Sequence, residues 1–142
     1  MTALRLERQV DEAPPASPSV DPRLLPLLNH LRLVALACRV AARSDLYQAC
    51  AVLSANAAVA RDAYAETLMR SLAQALGQTP IFHRPGVHDT SFDEAWLMRL
   101  FAAAANGDQA SFHFLIRSRV ARPARRNLAY LVWTISEQFP LD

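Results

Sequence analysis

The sequence contains no lysine, and its formal net charge of +2 comes from 15 arginines against 13 acidic residues. So mild an excess does not by itself indicate a nucleic acid or a membrane surface as partner. With abundant alanine, the absence of lysine is typical of proteins from GC-rich bacterial genomes, because GC-rich codons encode both arginine and alanine. The alternative explanation is bidentate recognition of anions, which requires the arginines to cluster.

Glycine is also scarce, at three residues, and β-branched residues are few. Such a composition favours helix over sheet along almost the whole chain. With 52% hydrophobic and 20% charged residues, a chain of 142 residues can bury one continuous core. The sequence therefore predicts an all-α fold, an irregular bundle of five to six helices. We expect a single domain over residues 21–142 after a flexible, proline-rich arm over residues 1–20.

Two cysteines are present, and neither a signal sequence nor a membrane span is predicted. Cys38 and Cys50 lie in apolar helical patterns, which is typical of buried thiols in a reducing compartment. The N-terminal end lacks a hydrophobic signal core. The most apolar run, residues 24–42, contains Arg32 and Arg39, and each charge costs about 2.5 to 3.5 kcal/mol at a bilayer centre. We therefore expect a cytoplasmic protein.

Residues 24–42 are expected to form the central helix of the bundle, because apolar side chains occupy most of its circumference. Its polar residues fall near one line on a 3.6-residue period, which predicts a narrow polar line along the helix: Asn29, Arg32, Arg39 and Arg43. The helix begins either at Pro22, after a cap by Asp21, or at Pro26.

Stop and start signals divide the rest of the chain. Residues 45–76 form one helix or two, and Gly77 ends the last turn. Two prolines and a glycine exclude a helix over much of residues 78–90, which we predict to be a loop. The core face of the final helix is predicted to be Leu128, Leu131, Val132, Ile135 and Phe139.

Three further helix starts have recognisable signals. Ser91 and Glu94 form a capping box at the start of one helix. Asp108 caps the next, and the short connection between these two helices predicts that they pair as a hairpin. Pro123 opens the final helix.

The most distinctive local feature is an arginine cluster at the junction of the last two helices, with no acidic residue nearby in the sequence: Arg117, Arg119, Arg122, Arg125 and Arg126. Like charges at this density are unfavourable unless water or an anion surrounds them. The N-terminus of the final helix also favours an anion. We interpret the cluster as a surface for an acidic protein, a nucleic acid or a phosphate, with a solvated turn as the simpler alternative.

An aromatic flank follows the cluster. Arg126, Tyr130 and Trp133 are spaced by four and three residues, so they are neighbours on a regular helix. Aromatic residues beside an arginine are enriched at protein interfaces, where a cation–π contact can hold them; otherwise they close the edge of the core.

The chain has no recognisable catalytic or cofactor motif, which leans against an enzyme. We therefore predict a non-enzymatic adaptor or regulator that acts through protein–protein contact and uses no cofactor. A homodimer is a further candidate, and anion or nucleic-acid binding through the same arginines is the alternative function.

The predicted loop carries the only candidates for a metal or small-molecule site that we single out: His83, His88 and Asp89. Their spacing matches no defined metal motif, and turn geometry accounts for the neighbouring prolines and glycine. Metal binding is our third hypothesis for function, after protein binding and anion binding.

Overall fold

The computed structural model describes residues 20–40 and 57–139. These residues form a short 3-10 turn (Pro22–Leu24) and five α-helices: α1 (Leu25–Val40), α2 (Ala57–Leu76), α3 (Phe92–Ala105), α4 (Gln109–Arg119) and α5 (Arg122–Gln138). No strand occurs among them, and the all-α prediction is confirmed. Within these two ranges, no helix combines the length and apolarity that crossing a bilayer requires.

Several predictions concern residues outside the described ranges. These are the arm before Val20, the start of the segment 45–76, and the side chains of Arg39, Arg43 and Cys50. The division into arm and domain therefore stays a prediction.

The start of α1 combines the two alternatives that the sequence left open. Asp21 accepts a hydrogen bond from the backbone amide of Arg23 and caps the 3-10 turn that Pro22 opens. The α-helix itself begins at Leu25, one residue before Pro26. Proline is tolerated in a first turn because the amide it lacks would have no partner there.

The predicted capping signals of α3 and α4 are confirmed. The Ser91 hydroxyl accepts from the Glu94 amide, and the Glu94 carboxylate accepts from the Ser91 amide, at 3.0 Å each. Asp108 caps α4 by accepting from the amide of Ser111. Gly107, with φ of +69°, makes the turn between the two helices in a conformation that disfavours other residues.

One hydrophobic core runs through the described helices, with α5 at its centre. This helix packs against α2, α3 and α4, whereas α1 packs mainly on α2. Four of the five residues expected on the core face of α5 are buried: Leu128, Leu131, Val132 and Ile135. The fifth, Phe139, is half-buried, and its ring lies 5.4 Å from that of His30 of α1 at an angle of 44°.

The segment that we expected to be the central helix lies instead at the edge of the described bundle. Leu28 and Leu31 are buried, but Leu33 and Leu36 are 54% and 40% exposed. This prediction was wrong because an apolar circumference shows how much surface a helix can bury, not how many neighbours it has.

Two residues of the predicted polar line differ in their environment. Asn29 is exposed, but Arg32 is only 3% exposed. Its Nε and Nη2 atoms donate to the two carboxylate oxygens of Glu94 at 2.8 and 2.9 Å. Glu94 has no exposed surface, so both charges depend on this bidentate pair to offset their desolvation. Helical periodicity contains no information about a partner on another helix.

The same ion pair holds the loop between α2 and α3. The Arg32 guanidinium also donates to three loop carbonyls, those of Arg84, Val87 and Asp89. In return, Glu94 accepts from the backbone amide of His83 at 2.8 Å. The loop has no helix or strand of its own, so these bonds supply partners that its backbone would otherwise lack.

Replacing Glu94 with alanine should lower the free energy of unfolding by about 3–5 kcal/mol, because it leaves the Arg32 charge buried without its partner. The matched control is Glu66→Ala, which removes a partly exposed pair with Arg70 one turn away on α2 and should cost about 0.5 kcal/mol. Urea denaturation of the two variants measures the difference. Similar losses in both would contradict a central role for the buried pair.

The pKa of Glu94 predicts how stability depends on pH. Burial raises this pKa, but hydrogen bonds from the Arg32 guanidinium and from the amides of Ser91 and His83 outweigh burial and hold it below the ordinary 4.5. The unfolded chain therefore binds this proton more readily than the folded chain. The contribution of Glu94 is fully present above pH 4.5 and is lost as the pH falls through the lowered folded-state pKa.

We therefore expect the free energy of unfolding of the wild type to fall more steeply below pH 4.5 than that of a Glu94→Gln variant. Urea denaturation at a series of pH values measures both curves. Parallel curves would show that other carboxyl groups cause the loss of stability in acid.

Candidate functional site

The structure divides the predicted arginine cluster into two sets. Arg119 and Arg125 bond to other parts of the fold. The remaining three are exposed, and within the described ranges none forms a hydrogen bond or an ion pair: Arg117, Arg122 and Arg126. The five arginines therefore differ in their roles. Two bond within the fold, and three are exposed where a partner can reach them.

Arg119 joins α4 to α3. Its Nη2 atom lies 2.7 Å from Oδ1 of Asp93, and its guanidinium lies 5.0 and 5.1 Å from the ring centroids of Phe92 and Trp96. Asp93 also accepts from the amide of Ile81 in the loop. The sequence near the cluster contains no acid, but the fold brings one from the preceding helix. Arg119 thus meets an anion that belongs to its own chain.

The second engaged arginine lies at the start of α5. Arg125 Nε donates to the carbonyl of Val120 at 2.9 Å, in the turn between α4 and α5. Ala121 precedes the first turn of α5 and supplies no side-chain cap. A cleft of about 390 Å³ opens beside this turn, but none of its lining residues is an arginine: Ser71, Gln74, Ala75, Ala121, Pro123, Ala124, Asn127 and Leu128. The arginines therefore do not converge on this helix end.

A groove between α4 and α5 also has no arginine in its lining, but helical spacing places Arg117 and Arg126 one turn from residues that do line it. The groove has a volume of about 340 Å³ and is lined by Gln109, Phe112, His113, Ala129, Tyr130 and Trp133. On α4, Arg117 is one turn beyond His113, on the same side of the helix. On α5, Arg122 and Arg126 precede Tyr130 at spacings of four, so they share its exposed strip. We call this groove with its three arginines the α4–α5 surface.

The two predicted aromatic residues have different environments in this surface. Trp133 is half-buried, and its ring meets that of Phe112 edge-on, with centroids 5.5 Å apart. Tyr130 is 57% exposed, and its ring lies 6.4 Å from that of Tyr64 on α2. A hydrogen bond with Tyr130 raises the pKa of Tyr64. Aromatic neighbours hold both rings, whereas the cation–π contact suggested for Arg126 is not among those formed by described residues.

The sequence predicted one wall of the groove and missed the other. It placed Tyr130 and Trp133 on a common face of the last helix, and the regular helix confirms this spacing. The α4 wall was not predicted, because neither Phe112 nor His113 belongs to a site that the sequence indicates. The four-residue spacing of Gln109 and His113 was the available signal, but it shows a shared face and not which helix lies opposite.

The loop candidates form a local arrangement. The Nδ1 atom of His83 lies 2.8 Å from the carbonyl oxygen of Asp89 and must donate to it, since a carbonyl only accepts. His88 is exposed. Across residues 20–40 and 57–139, no three His, Cys, Asp or Glu side chains are grouped to hold a metal ion. The contacts of His83 and Asp89 stabilise the loop around Arg32.

Comparison of the chain with protein-family models, curated proteins and solved structures yields no match. The chemistry of the α4–α5 surface is therefore the basis for a functional assignment. The α4–α5 surface combines an apolar groove, rings fixed by packing and three cations that have no partner among residues 20–40 and 57–139.

Two arginines of one helix provide a test of this division. Arg119→Ala should lower the free energy of unfolding by about 1–3 kcal/mol, because it leaves the buried Asp93 carboxylate without its cation. Arg117→Ala, on the exposed side of α4, should change it by no more than about 0.5 kcal/mol. Thermal and urea denaturation measure both, and an equal loss in both variants would contradict the division.

Proposed function

We propose that this protein is a cytoplasmic, non-enzymatic adaptor or regulator that binds a protein partner through the α4–α5 surface. The observation that carries the proposal is that an open apolar groove lies within one or two helical turns of three exposed arginines, which have no partner among the described residues. The groove supplies apolar area for contact, and the arginines supply charge that a partner can neutralise.

The aromatic residues support a protein as the partner. Tyrosine, tryptophan and arginine are the residue types most enriched among those that dominate binding energy at protein interfaces. Trp133 is fixed by Phe112, so little side-chain entropy remains to be lost when a partner covers it. Tyr130 exposes more than half of its surface and offers both a ring and a hydroxyl group.

The arginines favour a partner with acidic residues beside its apolar contact. Arg117 and Arg126 lie on the two helices that form the groove, so carboxylates at the edge of a bound segment can reach either one. Exposed charges of this kind speed association and orient the partner, and they contribute less to the final affinity.

Anion or nucleic-acid binding is the alternative use of the same arginines. Arg119 and Arg125 already bond within the fold, which leaves three cations of the cluster. Affinity for a nucleic-acid backbone grows with the number of phosphates that are neutralised, so three cations around an apolar groove fit an acidic protein better. The His83 loop supports a metal site less well, because the Nδ1 atom of His83 already donates a hydrogen bond to the backbone carbonyl of Asp89.

Site-specific photo-crosslinking tests the proposal. With p-benzoylphenylalanine in place of Tyr130, irradiation of the native cells should yield an adduct with one reproducible protein, identified by mass spectrometry. Replacing Arg117 and Arg126 together with glutamate should abolish this adduct. Leu33 of α1 is the matched control position, because its exposure of 54% is close to that of Tyr130 and it lies outside the groove.

The same experiment separates the alternatives. An adduct at position 130 that nuclease treatment removes would identify a nucleic acid and overturn the proposal. Protein adducts that survive loss of the two arginines, or that form equally from position 33, would also overturn it.

A further inference from the structure

We infer that the partner of the α4–α5 surface is a second copy of this chain, packed antiparallel about a twofold axis through the groove. The inference rests on the proposed function, because it takes the groove to be a protein-binding surface and then names the protein that fills it. The order of charged and aromatic residues along α5 identifies this partner.

The exposed strip of α5 has opposite charges at its two ends. Glu137 lies about three turns beyond Arg126 and within about 20° of it around the helix axis, so both belong to one strip. From its N-terminal end, the strip consists of Arg122, Arg126, Tyr130, Trp133 and Glu137. Glu137 is exposed and has no hydrogen bond or ion pair with any described residue. The strip is therefore positive, then aromatic, then negative.

These opposite charges cannot meet within one molecule. A rise of 1.5 Å per residue places Arg126 and Glu137 about 16 Å apart along a rigid helix. An ion pair needs its charged atoms within about 4 Å. Neither charge has a counterpart among the described residues, and the strip of a second α5 running in the opposite direction presents both counterparts in the required order.

The aromatic residues fit the same register. The midpoint between Arg126 and Glu137 along α5 is also the midpoint between Tyr130 and Trp133. An antiparallel copy that places its Glu137 opposite Arg126 therefore also places its Trp133 opposite Tyr130. Twofold symmetry repeats each contact, which gives two ion pairs and two aromatic contacts from one strip.

The side-chain environments agree with this arrangement. Tyr130 is the exposed ring, and Trp133 is the half-buried ring in the groove, next to Phe112. In the proposed dimer, the exposed ring of each copy covers the groove of the other. Ala129, one turn before Trp133, also lines the groove, and its small side chain leaves room for the incoming ring.

The size of the surface predicts a reversible dimer. The 17-residue α5 is about 25 Å long, and two neighbouring helices are about 20 Å wide. The face of α4 and α5 can therefore bury about 500 Å² per copy, or about 1,000 Å² in total, which is near the lower limit for a specific interface. The chain should exchange between monomer and dimer as its concentration changes.

Analytical ultracentrifugation of the full chain over a range of concentrations tests the inference. Wild type should show a monomer–dimer equilibrium. Arg126→Glu and Glu137→Arg should each raise the dissociation constant by about tenfold or more, because either change sets like charges opposite each other twice. The double variant Arg126→Glu/Glu137→Arg should return the constant close to the wild-type value, because both ion pairs re-form with reversed polarity.

Circular dichroism confirms that each variant is folded, and Arg99→Glu is the control. Arg99 is exposed on α3 and does not line the groove, so its reversal should leave the dissociation constant unchanged. Recovery of the dissociation constant in the double variant is specific to self-association. A different partner would keep its own charges, so both reversed charges on this chain would be mismatched.

The outcomes separate this inference from the proposed function. Three results would overturn the second copy as partner. The chain could stay monomeric at the highest concentration, both single variants could have the wild-type dissociation constant, or the double variant could keep a raised one. If the chain is monomeric but position 130 still crosslinks another protein in an arginine-dependent manner, the proposed function stands. If it is monomeric and no adduct forms, both are wrong.

Discussion

The buried ion pair between Arg32 and Glu94 is the constraint on which the rest of the described fold depends. Removing two charges from water is unfavourable unless nearly every donor and acceptor finds a partner. Here the guanidinium bonds to the carboxylate and to loop carbonyls, and the carboxylate also accepts from the amides of His83 and Ser91. One pair thereby fixes α1, the start of α3 and the loop between α2 and α3. A change in any of these elements acts on the others through the same two charges.

The first turn of α3 is where two of the chain's arginines find their anions. Asp93 and Glu94 are adjacent, and they pair with Arg119 of α4 and Arg32 of α1, respectively. Carboxylates are favoured at this end of a helix because the backbone amides and the helix dipole are positive there. Each carboxylate also accepts a hydrogen bond from a backbone amide of the loop. Asp93 accepts from the amide of Ile81, and Glu94 accepts from that of His83. The junction shows how a chain without lysine uses arginine to join its helices: Arg32 binds Glu94 through two donors, and Arg119 meets Asp93 through one.

Local chemistry was predictable from the sequence, and long-range pairing was not. The capping box of Ser91 and Glu94 and the cap by Asp108 depend on residues three apart, so they correctly predicted where α3 and α4 begin. The partner of Arg32 was not predicted, because the 3.6-residue period assigns a side chain a direction and says nothing about a carboxylate on another helix. The candidate site followed the same rule. Spacing placed Arg126, Tyr130 and Trp133 on one face, but the α4 wall of the groove required knowledge of how the two helices pack.

The arginines of the described helices differ in whether the fold supplies them with a counter-charge. The fold brings Asp93 of α3 to Arg119 of α4 and so neutralises this cation within the chain. Arg126 and Glu137 lie on one strip of α5 with two aromatic residues between them, and the rigid helix that aligns them also keeps them apart. Neither can move toward the other without unfolding α5. Opposite charges held at a fixed separation on one exposed face therefore cannot pair with each other, and their order is one that an antiparallel copy of α5 would complement at both ends.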